Sequence, residues 1–119
     1  MNAKIVPRVT CEELKQSMDK GEKVVVIDIR KTDEYNLEHI KGAVNICYDP
    51  LGDPQEREMR LSVLPQDTLL VFYCDCLDES TSSIMVLELR GLRYDFDKVK
   101  ALRGGFPRWR MLGYPAESA

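Results

Sequence analysis

The stretch "LLVFYCDCLDESTSS", residues 69–83, runs from an apolar segment into two cysteines one residue apart, with acids in and after the pair and then hydroxyls. An unbroken run of large aliphatic and aromatic residues bounded by polar ones reads as a strand buried on both faces of a sheet. The hydroxyl cluster then opens "STSSIMVLELRGLRY", residues 80–94, a helical pattern with Ile84, Leu87 and Leu89 as inward candidates and Gly91 near its end. The unit is therefore strand, loop, helix, and both thiols, Cys74 and Cys76, fall in the loop.

The same alternation extends in both directions. Upstream, "KVVVIDIR" (23–30) is a second β-branched run, and Asp28 and Arg30 lie at its end. Before it, Thr10 and Glu13 form a capping box for a helix reaching about Lys20, with Gly21 placed as its terminating glycine. "KTDEYNLEHIKGA" (31–43) reads as a short helix capped by Thr32, followed by the brief strand "AVNI". Between Pro54 and Pro65 a solvated helix offers Met59, Leu61 and Val63 for inward contact. Downstream, "DKVKAL" (97–102) is a last strand, and "GGFPRWRMLGYP" (104–115) is a helix with Pro107 near its start and Gly113 as its C-cap. Strands alternating with helices specify an α/β fold, a single domain with a mostly parallel central sheet flanked by helices.

Length and composition agree, since 119 residues with 44% hydrophobic content are enough for one core. The net charge of −3 comes from interspersed acids and bases, so no basic stripe suggests nucleic acid. No window approaches the roughly 18 apolar residues of a membrane span, and the N-terminus carries no apolar signal core, which gives a cytoplasmic expectation. In that compartment Cys11, Cys47, Cys74 and Cys76 are expected as reduced thiols. One histidine, His39, excludes a His-rich metal site, and a lone C-x-C lacks the second half of a zinc motif.

The chemistry expected of the loop follows from its position. Open α/β folds place ligand sites at the carboxyl edge of the sheet. Unpaired N–H groups of the loop and the first helical turn form a nest for an anion there, which favours a cysteine thiolate, the nucleophilic form.

Three separated segments, "VVVIDIRKTDEYNLEHIKGAVNI", "LLVFYC" and "ALRGGFPRWRMLGYP", together resemble the single-domain rhodanese-like, or sulfurtransferase, family from about Thr10 to Pro115. Asp28, Arg30 and Glu34 fall on the family's Asp-x-Arg-x-x-x-Glu segment. His39, Ile40, Gly42 and Ala43 fall on its GHIxGA segment, with Glu38 in place of the first glycine. Leu102, Gly104, Gly105, Trp109, Gly113, Tyr114 and Pro115 fall on its LxGGxxxWxxxGYP ending. The catalytic cysteine has two candidates. Counting from the strand selects Cys74, while counting back six positions from the helix-capping Ser82 selects Cys76.

The resemblance implies that a loop thiolate takes sulfane sulfur from a donor, holds it as a persulfide and passes it to a thiol or other nucleophile, with no metal or organic cofactor. Asp75, Leu77, Asp78, Glu79, Ser80, Thr81 and Ser82 then form the substrate-binding loop. The vicinal thiol permits a variant, in which it attacks the persulfide, releases sulfide and leaves a disulfide for a thioredoxin-like partner to reduce. Asp75, Asp78 and Glu79 argue against thiosulfate as donor. A carboxylate about 6 Å from the thiolate costs roughly 3 kcal/mol at an effective dielectric of about 20, whereas a helix N-terminus typically returns about 0.3–1 kcal/mol. Persulfides or polysulfides are the expected donors, and Arg103, Arg108 and Arg110 are the cations placed to restore the field.

Phosphatase or arsenate reductase chemistry would require an arginine in the anion loop, and positions 80 and 82 are serines. The alternative from another class is a non-catalytic protein-binding module whose acidic loop meets a basic partner. Simpler roles are assigned elsewhere. Asp28, Arg30 and Glu34 are read as a structural ion cluster, His39 as a hydrogen-bonding residue, Trp109 and Tyr114 as packing, and Cys11 and Cys47 as small buried hydrophobes.

Overall fold

The computed structural model describes residues 6–75, 80–92 and 96–119. Five strands form one parallel sheet: β1 (Arg8–Val9), β2 (Val24–Asp28), β4 (Val44–Asn45), β5 (Leu69–Tyr73) and β6 (Val99–Leu102), in the order β1-β6-β5-β2-β4. A separate antiparallel ribbon pairs β3 (His39–Ile40) with β7 (Ala116–Glu117). The helices are α1 (Cys11–Asp19), α2 (Thr32–Leu37), α3 (Pro54–Ser62), α4 (Ser80–Gly91) and α5 (Gly105–Met111), with a 3₁₀ turn at Phe96–Lys98.

The sheet carries a core on each face, which is why its central strands read as unbroken apolar runs. Leu70, Phe72 and Cys74 join the core that includes Leu61 near the end of α3 and Met85, Val86 and Leu89 of α4. Val71 and Tyr73 join the opposite core with Leu14 of α1 and Phe106 and Trp109 of α5. The period-two alternation of a strand thus sends the thiol of Cys74 and the phenol of Tyr73 to opposite sides.

Several elements differ from the sequence expectation, each for a local reason. The capping box at Thr10 and Glu13 forms as expected. Thr32 is the first residue of α2 rather than its cap, and its hydroxyl donates instead to Asn45 Oδ1 at 2.8 Å. The second half of that expected helix is β3, which only the distant β7 partners. On α3, Asp53 caps and Pro54 starts the helix, so Leu61 and Leu64 face inward while Met59 and Val63 are 70% and 80% exposed. Ser82, Met85, Val86 and Leu89 form the inward stripe of α4, leaving Ile84 exposed and Leu87 half-buried. β1, only two residues long and flanked by Pro7, carries no sequence signal of its own.

Gly104 turns the chain from β6 into α5 at φ 80°, the left-handed region. A Cβ at this position would lie 2.7 Å from the Arg108 Cβ, so both conformation and space require glycine.

Candidate functional site

The site is built where the central strands end. Asp28 of β2 is the register partner of Tyr73 of β5, and the Ile29 N–H donates to the Tyr73 carbonyl at 3.1 Å. One residue on, the Cys74 carbonyl accepts from the Phe106 N–H at 2.9 Å. That N–H belongs to the first turn of α5, where helices have no internal acceptor, so the helix start holds the backbone of Cys74.

Cys74 is 4% exposed, and its Sγ donates to the Ser82 Oγ at 3.8 Å. Ser82 is fully buried in the first turn of α4, so the thiol and the start of the following helix meet as the strand-loop-helix reading requires. Thr81 is half-buried beside it, and Asp75 is exposed. Cys76, Leu77, Asp78 and Glu79 lie outside the described residues, as does the side chain of Ser80, which opens α4.

On the other face of the same edge lies a charged cluster. The fully buried Asp28 carboxylate accepts from the Arg30 backbone N–H at 2.9 Å, from Arg30 Nε at 3.0 Å and from Arg30 Nη2 at 2.7 Å. The Tyr73 hydroxyl also donates to it, at 2.7 Å, and accepts from the Ile40 N–H. Arg30 Nη2 further donates to the Glu38 carbonyl, and the guanidinium carbon sits 4.5 Å from the Phe106 ring centroid. Burial disfavours the guanidinium charge, but hydrogen bonding and attraction to Asp28, with smaller help from Tyr73 and Asp75, raise its pKa above the ordinary value. Burial, then the Asp28 charge, pushes the Tyr73 phenol well up, so it stays protonated and keeps donating.

The expected cluster of Asp28, Arg30 and Glu34 is thus present in two of its three members. Among the described residues, Tyr73 and the Glu38 carbonyl complete it rather than the Glu34 carboxylate. Alternation along β5 was the available signal for Tyr73, since a residue preceding a thiol aimed at one core must face the other. Of the arginines expected to restore the field, Arg108 pairs with Glu12 and Arg110 with Glu38. Asp75 acts instead on Arg30, as the smallest of the influences that raise its pKa.

His39 is buried, and its Nδ1 lies 2.7 Å from the Tyr35 carbonyl, to which it must donate. Its ring stacks on Tyr35 at 3.8 Å, and Nε2 lies 3.5 Å from the Glu117 carboxylate. The Tyr35 contacts tie β3 to α2 and the Glu117 contact ties it to β7, in keeping with the hydrogen-bonding role expected of this residue.

The remaining described cysteines are held as thiols. Cys11 is 1% exposed, its Sγ donates to the Arg103 carbonyl, and burial, reinforced by Glu12 and opposed by Arg108, pushes it up to about 11. Cys47 is half-buried rather than buried, and burial followed by the Asp49 charge raises its pKa. Neither thiol is biased towards the nucleophilic thiolate.

The Cys11 environment gives a pH prediction. A thiol that titrates at 9.0 when unfolded and at about 11 when folded contributes fully below pH 9, and that contribution disappears as pH rises through 11. Relative to Cys11→Val, the wild type is expected to lose about 2–3 kcal/mol between these limits. Urea titrations of both proteins at a series of pH values check this, and parallel pH profiles would contradict it.

Among the described residues, no group of three or more His, Cys, Asp and Glu could hold a metal ion, and no helix is long and apolar enough to cross a membrane.

A thiol between a buried parallel strand and a helix start, with Asp28 and Arg30 at the end of the neighbouring strand, places the chain among α/β domains built on a parallel central sheet. The family model of the Rhodanese-like domain matches residues 10–112, and the chain belongs to this family. It is 31% identical over 112 residues to thiosulfate sulfurtransferase GlpE of Pseudomonas fluorescens, covering 94% of this chain and 91% of that protein. It is 28% identical to the putative sulfur carrier protein YrkF of Bacillus subtilis, covering 86% of this chain but only 52% of that one, so it spans about half of this longer relative. The solution structure of the rhodanese-like domain of the Anabaena Alr3790 protein superposes with a TM-score of 0.76 at 25% identity, covering 97% of this chain and 81% of that one.

Proposed function

We propose that this protein is a sulfurtransferase that carries sulfane sulfur on Cys74. The observation that carries the reading is the position of the Cys74 thiol, 3.8 Å from Ser82 Oγ in the first turn of α4, at the carboxyl edge of the parallel sheet. The thiolate attacks the outer sulfur of a donor persulfide, R–S–SH. The donor S–S bond breaks, its electron pair leaves on RS⁻, and Cys74–S–SH remains. An acceptor thiolate then attacks that outer sulfur, departs as a new persulfide and restores the Cys74 thiolate, with no net oxidation. Loop N–H donors and the helix start would stabilise the anionic states.

Cys76 adds a branch. Its thiolate attacks the inner sulfur of the Cys74 persulfide, expels hydrosulfide and forms a Cys74–Cys76 disulfide, which a dithiol partner of thioredoxin type reduces. The names of GlpE and YrkF support sulfur handling in general. The acidic loop favours persulfide or polysulfide donors over dianionic thiosulfate. The 4% exposure of Cys74 favours one competing reading, a non-catalytic protein-binding module, because a donor must reach a nearly covered sulfur.

The test is intact mass of reduced protein after incubation with thiosulfate, mercaptopyruvate, glutathione persulfide or polysulfide. The wild type is expected to gain one sulfur atom from the persulfide and polysulfide donors, and Cys74→Ser to gain none. Sulfur that persists in Cys74→Ser and vanishes in Cys76→Ser moves the nucleophile to Cys76. No gain with any donor sinks the sulfurtransferase reading in favour of the module.

A further inference from the structure

A second feature lies at the carboxyl edge, on the side of the sheet to which Cys74 points. Residues 46–48 run on from β4, with the Ile46 N–H donating to the Asp28 carbonyl and the Tyr48 N–H to the Ile29 carbonyl. Ile29 in turn donates to the Tyr73 carbonyl, so the segment around Cys47 is two strand spacings, about 10 Å, from the end of β5. Ile46 is in the core that contains Cys74, and Tyr48 packs against it. Beyond this segment a surface cleft of about 280 Å³ opens against α3, lined by Cys47, Asp49, Asp53, Glu56, Arg57 and Arg60.

Both signs of charge are present in the cleft, and they are not equally committed. Arg57 is locked in a two-point ion pair with Glu88 of α4, at 2.9 and 3.0 Å, and stacks on Tyr48. Among the described residues, Arg60 makes an exposed pair with Glu56 on its own helix, worth a few tenths of a kcal/mol in such positions. Asp49 and Asp53 each accept a nearby backbone N–H on Oδ1, from Leu51 and Gln55 respectively. Both residues line the cleft. The cleft thus offers a guanidinium for a carboxylate, carboxylates for an ammonium, and a protonated thiol that would not compete as a nucleophile.

From this arrangement we infer that the cleft is a subsite for a zwitterionic amino-acid thiol or persulfide. The α-carboxylate goes to Arg60, the α-ammonium to Asp49 and Asp53, and the sulfur end towards the edge where Cys74 lies. The volume suits one amino acid or a little more, below the range of drug-sized pockets. The inference rests on the sulfurtransferase reading for the use of the ligand, but not for its binding.

The experiment therefore reads binding without turnover. In a Cys74→Ser/Cys76→Ser background, the slow alkylation of Cys47 by iodoacetamide is followed over long incubations near pH 7, where the α-amino group of the probe is still protonated, as S-methyl-L-cysteine is added. Saturable protection is expected, weakened about tenfold in Arg60→Gln and in Asp49→Asn, the size of one lost charge-assisted hydrogen bond. 3-(Methylthio)propanoic acid, which lacks the ammonium, should protect equally poorly in wild-type and Asp49→Asn cleft backgrounds. No protection up to about 10 mM, an affinity weaker than any useful subsite, overturns the inference, as does equal protection by both compounds. With Cys74 and Cys76 restored, the ratio of kcat/KM for cysteine persulfide over inorganic polysulfide should fall about tenfold in Arg60→Gln, and an unchanged ratio also counts against it. If no donor loads the protein while protection is intact, the sulfur chemistry fails and the subsite stands.

Discussion

Arg30→Met is expected to lower the free energy of unfolding by about 3–5 kcal/mol, the usual cost of stranding one partner of a buried ion pair. The guanidinium is 8% exposed and the Asp28 carboxylate fully buried, so water cannot replace the lost partner without opening the edge of the sheet. Tyr73 would be left as the one side-chain donor to that carboxylate among the contacts described above. The arrangement also predicts which second change rescues the first. Asp28→Asn removes the stranded charge while keeping an acceptor for the Tyr73 hydroxyl, so the double variant should recover a substantial part of the loss. Guanidinium denaturation of the two single variants and the double one checks this. Additive losses would mean that the cluster stabilises by packing rather than by charge. Because Arg30 also stacks on Phe106, whose N–H holds the Cys74 carbonyl, Arg30→Met should loosen the backbone of the candidate nucleophile as well.

Trp109→Ala carries a cost of similar size, about 3–5 kcal/mol, for deleting a large side chain from a packed core. Trp109 is fully buried, meets Tyr114 edge-on at 5.0 Å and donates from its indole nitrogen to the Pro115 carbonyl at 2.9 Å. That carbonyl also accepts from the Lys41 N–H, directly before the residues that pair with β3. The loss should therefore be uneven. Hydrogen exchange at Ile40 and Lys41 is expected to accelerate more than at Val71 or Phe72 in the sheet centre. Trp109→Phe keeps much of the packing but not the donor, and should cost nearer 1–2 kcal/mol. Since Trp109 is the only tryptophan, circular dichroism rather than intrinsic fluorescence must follow unfolding. Uniform exchange across the molecule would refute the local coupling.

The long-range order of this fold was legible in its sequence where a pattern repeated locally. "KVVVIDIR" and "TLLVFYC" declare themselves because both faces of the central strands are covered, and the Thr10–Glu13 cap declares α1. What stayed hidden depends on contacts between distant residues. His39–Ile40 becomes a strand only because Ala116–Glu117 arrives beside it, and Arg8–Val9 only because Ala101–Leu102 does. Of Met59, Leu61 and Val63, all expected to face inward, the phase set by Asp53 and Pro54 turned only Leu61 to the core, where Leu64 joins it. At the site, the Asp28–Arg30 pair formed as the sequence suggested, while Ser82, expected to cap α4, lies two residues inside that helix. Tyr73 and Phe106 did not stand out, because they look like ordinary core residues until the ends of three elements are brought together.

The alternation that sends Cys74 to one core and Tyr73 to the other makes the reading frame of β5 a chemical variable. A single residue inserted within Leu69–Tyr73, with the loop pinned from its far side by α4, would exchange the two side chains across the sheet. The phenol would then meet Ser82, and the thiol would be delivered to the Asp28 carboxylate, which opposes its ionisation. The chain would be one residue longer and nearly every helix would be preserved, yet the sulfur would face a buried negative charge. Alignments of related chains that place a gap inside this strand, rather than in the loop after it, therefore describe proteins with different chemistry.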